Sequence, residues 1–575
     1  MSQRKAKEER RKLRQLEKAK EKEITADGLT GLSFRQIILE NKKFLLALMA
    51  LAIGLYVNAM WGHFVSDDYA SITQNPGVKN FSFMASTYNL MSLTTFLIAA
   101  IFGIESPVSF HLVSLVFYLL SLVAGFVLIR LLFDKKIAVL TLLLFAVLPI
   151  HVEAVAWISG RNYLMMSLFT LLALDFCLLY FSKEKVKYLW LTAGSLFLGF
   201  ATDRVRPLAF AFLLALFLLS FNKKLKKPLP LGKIAIGTGV FLALFFVFFW
   251  PLVMDRINGV NSGYNASESI FYNPFFQYPT AMAKYLQLLL VPIDLTLYHT
   301  MYVIPVWLNW MILGLYLVML GYFYFKNRNL FFALSFVFVA TAPSMAPVKV
   351  SWLVAERYMF LGSLGWCLFL VLAFLPLAEK AKSVFTGLFV VLLVIYGGRV
   401  VWRNVDWQTN HKLWVNTVQV SPNSHNAWNN IGDDYDKLQD YENAVKGFSQ
   451  STVMKSNYAD AFHNRANIYY KMGRLDLARD SYNTALQFSP GLYQTYLSLV
   501  QIDLNEGRAD LAMEHANKVV ELQPQNFQSY YVRGIVLARV GMKDEAISEM
   551  KKSLQLNPGF TSARQAIDEL ETSAQ

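Results

Sequence analysis

The feature that most limits this chain is the run of apolar blocks between residues 44 and 400. A helix needs roughly 20 apolar residues to cross a bilayer. The blocks predict spans near 44–62, 109–132, 137–156, 163–181, 187–203, 207–221, 233–253, 304–325, 330–347, 354–377 and 383–400. The stretch 83–104 is too interrupted to count. The stretch 276–297 carries Lys284, Gln287, Pro292 and Asp294 and reads as in-plane or re-entrant. Composition agrees: 55% of the 575 residues are hydrophobic and 16% charged, against about 45–50% and about 25% in soluble proteins. A single soluble domain, a disordered chain and a fibrous chain are excluded. Cys177 and Cys367 lie in apolar blocks and make no disulfide framework.

The basic residues orient these spans. Residues 1–43 form a charged, basic head without the short apolar core and cleavage site of a signal peptide. With this head in the cytoplasm, Lys135–Lys136, Lys183/Lys185/Lys187, Lys223/Lys224/Lys226/Lys227, Lys326/Arg328 and Lys380/Lys382 all fall inside, as the excess of Lys and Arg in cytoplasmic loops requires. Counting 276–297 as a span would send the later pairs outside. Eleven spans satisfy the rule and place the C-terminal part outside the cytoplasm.

After residue 400 the composition turns soluble and helical. Ala444, Ala478, Ala512 and Ala546 recur at a fixed step of 34 residues, as do Gly473, Gly507 and Gly541, and Pro490, Pro524 and Pro558; Pro422 lies two steps before Pro490. This is the tetratricopeptide period. The small Ala lets paired helices approach, Gly ends the first helix and Pro ends the second. One repeat cannot bury its apolar face alone, so four stack into a solenoid, closed by a capping helix over 561–573.

Several polar groups fall at the outer membrane level in this topology. Asp67-Asp68 follows the first span. His151, Glu153 and Arg161 lie at the outer ends of the third and fourth. Asp203-Arg204 and Arg206 follow the fifth, and Glu356-Arg357 opens the tenth. Ionisable groups at membrane depth are costly and usually serve a site or pathway. Local ion pairs, interfacial snorkelling or, for Ser66 and Asp67, helix capping account for each cluster singly. Together, a carboxylate can take a proton from a hydroxyl, and arginines can hold a phosphate in bidentate geometry. That chemistry suits sugar transfer from a lipid-linked phosphate with inversion at the sugar carbon.

On these residues the chain resembles the transmembrane and tetratricopeptide-repeat O-mannosyltransferases of the C-type glycosyltransferase superfamily. The resemblance rests on Asp67-Asp68 with Asn75-Pro76, Phe110-His111-Leu112-Val113, Pro149 to Ala156 followed by Gly160-Arg161, Ala355-Glu356-Arg357-Tyr358, and a junction with Arg403-Asn404, Trp407, Leu413-Trp414 and Pro422-Asn423. It implies an all-α fold: a polytopic membrane domain of about 11 helices with a C-terminal tetratricopeptide solenoid. It implies a polyprenyl- or dolichyl-phosphate donor, mannose as the favoured sugar, and a Ser or Thr hydroxyl of a protein as acceptor. Asp67 and Asp68 carry over as catalytic candidates. Arg161, Arg204, Arg206, Arg357, His151, Glu153 and Glu356 are the candidates for holding donor phosphate and sugar. The basic head and four repeats look bacterial, which would place the enzyme in an inner membrane, the repeats in the periplasm and undecaprenyl phosphate on the donor.

The expected domains are a cytoplasmic segment 1–43, a membrane domain 44–400, a linker or half repeat 401–425 and repeats over 426–575. Asn430, Asn464 and Asn467 lie on first helices of repeats, where they could bond an acceptor peptide's backbone. No residue spacing specifies a metal site; a divalent ion at Asp67/Asp68 is possible but not required. No nucleic-acid motif accompanies the basic head. Two rival readings are an O-antigen ligase or polymerase, and a non-enzymatic membrane-anchored repeat scaffold.

Overall fold

A computed structural model of the chain describes residues 31–82, 89–222, 274–302, 304–345 and 352–572, with Gly239 and Met254 as isolated positions. Among the described residues every regular element is a helix. The chain divides into two compact units, Met1–Asn416 and Thr417–Gln575.

In the first unit, six helices are long and apolar enough to cross a membrane: Lys42–Ala59, Pro107–Leu132, Ile158–Lys183, Val306–Lys326, Ser363–Lys380 and Lys382–Asp406. Some face outward with apolar side chains, as lipid contact requires. Trp307, Met311, Leu315, Val318 and Phe325 are all exposed along one helix. Others are core. Pro107–Leu132 opens with Pro at its first turn, where no N–H is needed. It carries Ser114 and Ser121, whose hydroxyls bond back to the carbonyls of Phe110 and Phe117 at 3.2 and 2.8 Å. These hydroxyls are thus satisfied without water.

The expected span 137–156 is broken. Lys135–Ala146 and Pro149–Ala156 meet at 58°. Pro149 cannot continue the N–H ladder, and the Ala146 carbonyl takes a hydrogen bond from the Tyr118 hydroxyl at 2.9 Å. The expected spans 187–203 and 330–347 appear as helices of 16 and 14 residues, Lys187–Thr202 and Arg328–Thr341; 207–221 is the short apolar helix Arg206–Phe221. The expected span 354–377 begins only at Ser363, because Glu356–Met359 forms a tight turn with buried polar groups. That helix packs closely on Arg328–Thr341: a Cβ at Gly365 would stand 2.8 Å from the Ala333 carbonyl. The stretch 276–297 holds a 17-residue helix, Pro274–Leu290, whose Gln277, Thr280 and Lys284 are all buried. The expected span 233–253 (apart from Gly239), the lysines at 223–227 and residues 1–30 lie outside the described residues. The last apolar helix runs on to Asp406, and Asn410–Val420 is helical too, so little of 401–425 is loop.

The second unit is a succession of helix pairs: His425–Lys437 with Tyr441–Met454, Ala459–Lys471 with Leu475–Phe488, Tyr493–Asn505 with Ala509–Leu522, and Phe527–Arg539 with Lys543–Leu556. Thr561–Thr572 closes the series. Ala444, Ala478, Ala512 and Ala546 are all fully buried between paired helices. Gly473, Gly507 and Gly541 end the first helices with φ of +72°, +71° and +84°, the left-handed cap that glycine adopts without steric cost.

Candidate functional site

The first site element is a tight turn after the first long helix. Ser66 has φ +53°, a left-handed conformation that costs a non-glycine residue about 1–2 kcal/mol. Its N–H donates to Asn410 Oδ1 at 2.8 Å. The turn closes on itself: Asp68 N–H donates to the Val65 carbonyl at 3.1 Å, and Val65 N–H donates to Asp68 Oδ2 at 3.1 Å. Asp68 is fully buried. Its Oδ1 accepts from the Ser159 N–H at 2.9 Å and from the Ser159 hydroxyl at 2.5 Å. Burial pushes its carboxyl up to about 7, against the pull of those donors toward the ionised form. Neither Ser66 nor Asp67 caps a helix with its side chain.

Asp67 differs from its neighbour. It is exposed, and no hydrogen bond or ion pair reaches its carboxylate among the described residues. Loss of hydration in the surrounding protein raises its pKa, and the charge of Arg357 draws it back. One acidic residue is therefore anchored and the other open.

The second element is a shelf of cations and rings. Glu153, fully buried, accepts from the Arg357 N–H at 2.8 Å and forms an ion pair with the Arg357 guanidinium. Arg357 lies over Trp157, Tyr163 and Tyr358 at 5.2, 5.6 and 5.1 Å from their centroids. Arg206 lies over the same two tyrosines at 4.7 and 5.1 Å and pairs with Asp203. The two arginines thus share one aromatic pair. Glu153 is spent on Arg357, so it is placed to hold that cation rather than a ligand. Arg204 is exposed, one residue beyond Asp203.

Arg161 is the third element. It is fully buried at the start of a long helix. One guanidinium nitrogen donates to Thr95 Oγ1 at 2.8 Å, while Nε and Nη1 have no partner among the described residues. It lies near enough to Asp68 for their charges to interact. Gly160 before it is dictated by sterics: a Cβ there would stand 2.6 Å from the Glu153 carbonyl.

Glu356 and His151 are placed elsewhere. Glu356 Oε1 accepts from the Thr296 N–H and lies 3.3 Å from His299 Nε2 and 3.5 Å from Arg403. Arg403 also holds Asp406 at 2.9 Å. Burial pushes Glu356 up to about 7, with Arg403 pulling down; burial, reinforced by Lys284, pushes His299 down to about 3. His151 bonds Ser363 at 2.8 Å and sits against Phe145 and Phe360, at 4.5 and 4.7 Å between ring centroids. That is the environment of a packing residue. In the second unit, Asn464 donates to Asn429 at 3.1 Å, and Asn467 accepts from Tyr482 at 2.5 Å and contacts His463 at 3.2 Å. Asn430 too has a partner. The Asn464 and Asn467 amides are engaged within the unit. A cavity of about 450 Å³ opens instead on helices Tyr493–Asn505 and Phe527–Arg539, lined by Leu497, Val500, Leu504, Tyr531, Ile535 and Phe560.

Sequence reasoning missed Ser159, Thr95, Asn410 and the ring pair Tyr163/Tyr358. Ser159 and Tyr358 carried a signal, the one just before Gly160-Arg161 and the other at the end of Ala355-Glu356-Arg357-Tyr358. Among the described residues no group of three or more His, Cys, Asp or Glu is placed to hold a metal. The arrangement offers an open carboxylate to receive a proton, and cations with free or ring-backed faces to hold an anion.

Residues 459–492, 493–526 and 527–560 match the tetratricopeptide repeat model. Over 516 residues, 78% of this chain, the sequence is 24% identical to Protein O-mannosyl-transferase TMTC3 of Homo sapiens, covering 55% of that protein. It is 24% identical to Protein O-mannosyl-transferase F38B6.6 of Caenorhabditis elegans, over 70% of this chain and 62% of that one. The chain is a homologue of these protein O-mannosyl-transferases. It spans about half the length of the human relative. Among its described residues the homologue is all-helical; it carries tetratricopeptide repeats and has the long apolar helices of an integral membrane protein.

Proposed function

We propose that this homologue is an inverting glycosyltransferase. It moves a sugar, mannose favoured, from a polyprenyl-phosphate donor to a Ser or Thr hydroxyl of a protein on the extracytoplasmic face. The observation that carries the reading is the asymmetry of the acidic turn. Asp68 is bound on both oxygens and oriented, whereas Asp67 is open and feels the charge of Arg357. In the proposed reaction, Asp67 accepts the acceptor's hydroxyl proton. The hydroxyl oxygen attacks the anomeric carbon from the face opposite the phosphate. The bond from that carbon to the phosphate oxygen breaks, and the electron pair leaves with the lipid phosphate. Arg161, with two uncommitted nitrogens, and Arg357 and Arg206 over shared rings are suited to that leaving anion. The cavity of the repeat unit, where Gln501 and Gln528 stand among the apolar side chains, is suited to hold an acceptor segment.

Transfer from a panel of polyprenyl-phosphate sugars to a protein acceptor, with purified full chain, tests this. Mannose transfer by the wild type, reduced in Asp67→Asn by about 10²–10⁴-fold, is expected. A scaffold would show no transfer with any donor. A ligase or polymerase would accept only preassembled glycans. Either result removes the reading.

A further inference from the structure

We propose that Asn410 is a positioning residue for Asp67; this rests on Asp67 being the base. Ser66, next to Asp67, is held at φ +53°. A serine freed from that conformation relaxes to the extended or right-handed basins, and Asp67 swings with it. The bonds inside the turn and those to Ser159 fix Asp68. They leave the residue before Asp67 to one external acceptor: Asn410 Oδ1, 2.8 Å from the Ser66 N–H and 344 positions later in the chain.

Asn410 does not stand alone. The chain leading to it is fastened along the segment that leads to the acidic turn. Asn404 Nδ2 donates to the Leu55 carbonyl at 2.8 Å and to Asn58 Oδ1 at 2.7 Å. Gln408 Nε2 donates to the Asn58 carbonyl at 3.2 Å, and the His63 N–H donates to the Gln408 carbonyl at 2.9 Å. Trp407 stacks on Trp157 with centroids 5.9 Å apart. Along that segment the contacts run from Leu55 through Asn58 to His63, and the Asn410 contact at Ser66 is the one that reaches the turn. The brace is thus made by the stretch that precedes the repeat unit, and it sets the aim of the open carboxylate.

The test compares Asn410→Ala, Asn410→Asp and Asn410→Ala with Ser66→Gly in full-length protein, using mannosyl polyprenyl phosphate as donor. Asn410→Ala is expected to lower kcat by about 10–100-fold, the range for small misplacements of a reacting group, with the donor KM within about twofold. Asn410→Asp keeps an acceptor oxygen and retains most of kcat at its own pH optimum. Ser66→Gly removes the steric cost of the left-handed turn and recovers part of the loss in the Ala background. Amide hydrogen exchange of the 60–70 segment is followed in parallel, with faster exchange expected in Asn410→Ala. Wild-type kcat in Asn410→Ala overturns the proposal, as does a loss that neither Asp nor Ser66→Gly relieves. If the wild type itself transfers no sugar, the functional reading fails. The exchange arm then decides the brace alone, with unchanged protection overturning it.

Discussion

A buried acid of the repeat unit and a buried cation of the membrane unit are paired to different degrees. In the repeat unit, Asp503 is fully buried, but Arg479 holds one oxygen at 2.5 Å and His515 the other at 2.7 Å. In the membrane unit, Arg161 is just as buried and, among the described residues, keeps two nitrogens without partners, as Glu356 does its Oε2. Buried polar groups are nearly always paired when their task is to specify a fold. Those left open at Arg161 lie beside the acidic turn, where a ligand would complete the set. The contrast separates architecture from chemistry, and it can be broken experimentally.

The largest effect is expected from exchanging the two kinds of acid. Asp67→Asn should cost about 10²–10⁴ in kcat while the protein melts as the wild type does. Asp503→Asn should do the reverse. It removes one partner of a buried ion pair, which costs about 3–5 kcal/mol, and leaves the turnover of the folded fraction unchanged. Paired melting curves and initial rates would read both. A thermal loss in Asp67→Asn comparable to that of Asp503→Asn would erase the distinction.

Next in size is Arg161→Met. The substitution keeps the apolar stem and removes the open nitrogens. If these serve the donor phosphate, the donor KM rises by about 10–100-fold, as expected for losing a charge-assisted hydrogen bond of about 1.5–3 kcal/mol. A lowered melting temperature with unchanged donor KM would make the open nitrogens a packing feature.

What could be read from the sequence follows the same divide. The repeats declare themselves because one environment recurs at 34-residue steps, so each buried Ala and left-handed Gly is seen several times. The acidic pair and Glu153, Arg161, Glu356 and Arg357 stand out because charge is conspicuous among apolar blocks. Their roles do not, because each depends on a partner far along the chain. The sequence does not say that Asp68 rather than Asp67 is pinned: beside the Val65 N–H, the pin is Ser159, 91 residues later. His151 reads as a ligand beside Glu153, yet Phe360 and Ser363 arrive from a distant turn to enclose it. The broken helix at Pro149 and the late start at Ser363 were hidden for a related reason. Hydropathy sees apolar length, not the turns that polar contacts impose inside it.

A smaller effect concerns protonation of the acidic turn. Burial lifts Asp68 to about 7 and also raises Asp67. Two interacting carboxyls titrate as a unit. Activity should therefore rise with pH as the pair loses its proton, with a limb near neutrality. The Ser159 hydroxyl favours ionised Asp68, so Ser159→Ala raises the pKa of Asp68 and moves the limb to higher pH. Rates measured from pH 5 to 9 for both proteins would show it. A limb that stays in place, or moves down, would detach Asp68 from the chemistry.

The smallest effect lies in the repeat unit, at a place where its own glycine pattern lapses. Gln439 occupies the position that Gly473, Gly507 and Gly541 hold in the following repeats, and it adopts φ +60°. The backbone is the same as theirs: the Gln439 N–H donates to the Asp436 carbonyl and the Asp440 N–H to the Tyr435 carbonyl, both at 2.9 Å. These are the two bonds of the Schellman cap. The conformation is set by the stacking of the pair, and the glutamine bears the steric cost. Gln439→Gly removes that cost, about 1 kcal/mol, and returns some of it through the freer unfolded chain. The net gain is expected to be a few tenths of a kcal/mol, seen as slower amide exchange in His425–Lys437 and Tyr441–Met454, with sugar transfer unchanged. Faster exchange would mean that the Gln439 side chain contributes more than its backbone costs. A change in transfer would mean that the first repeat reaches the chemistry after all.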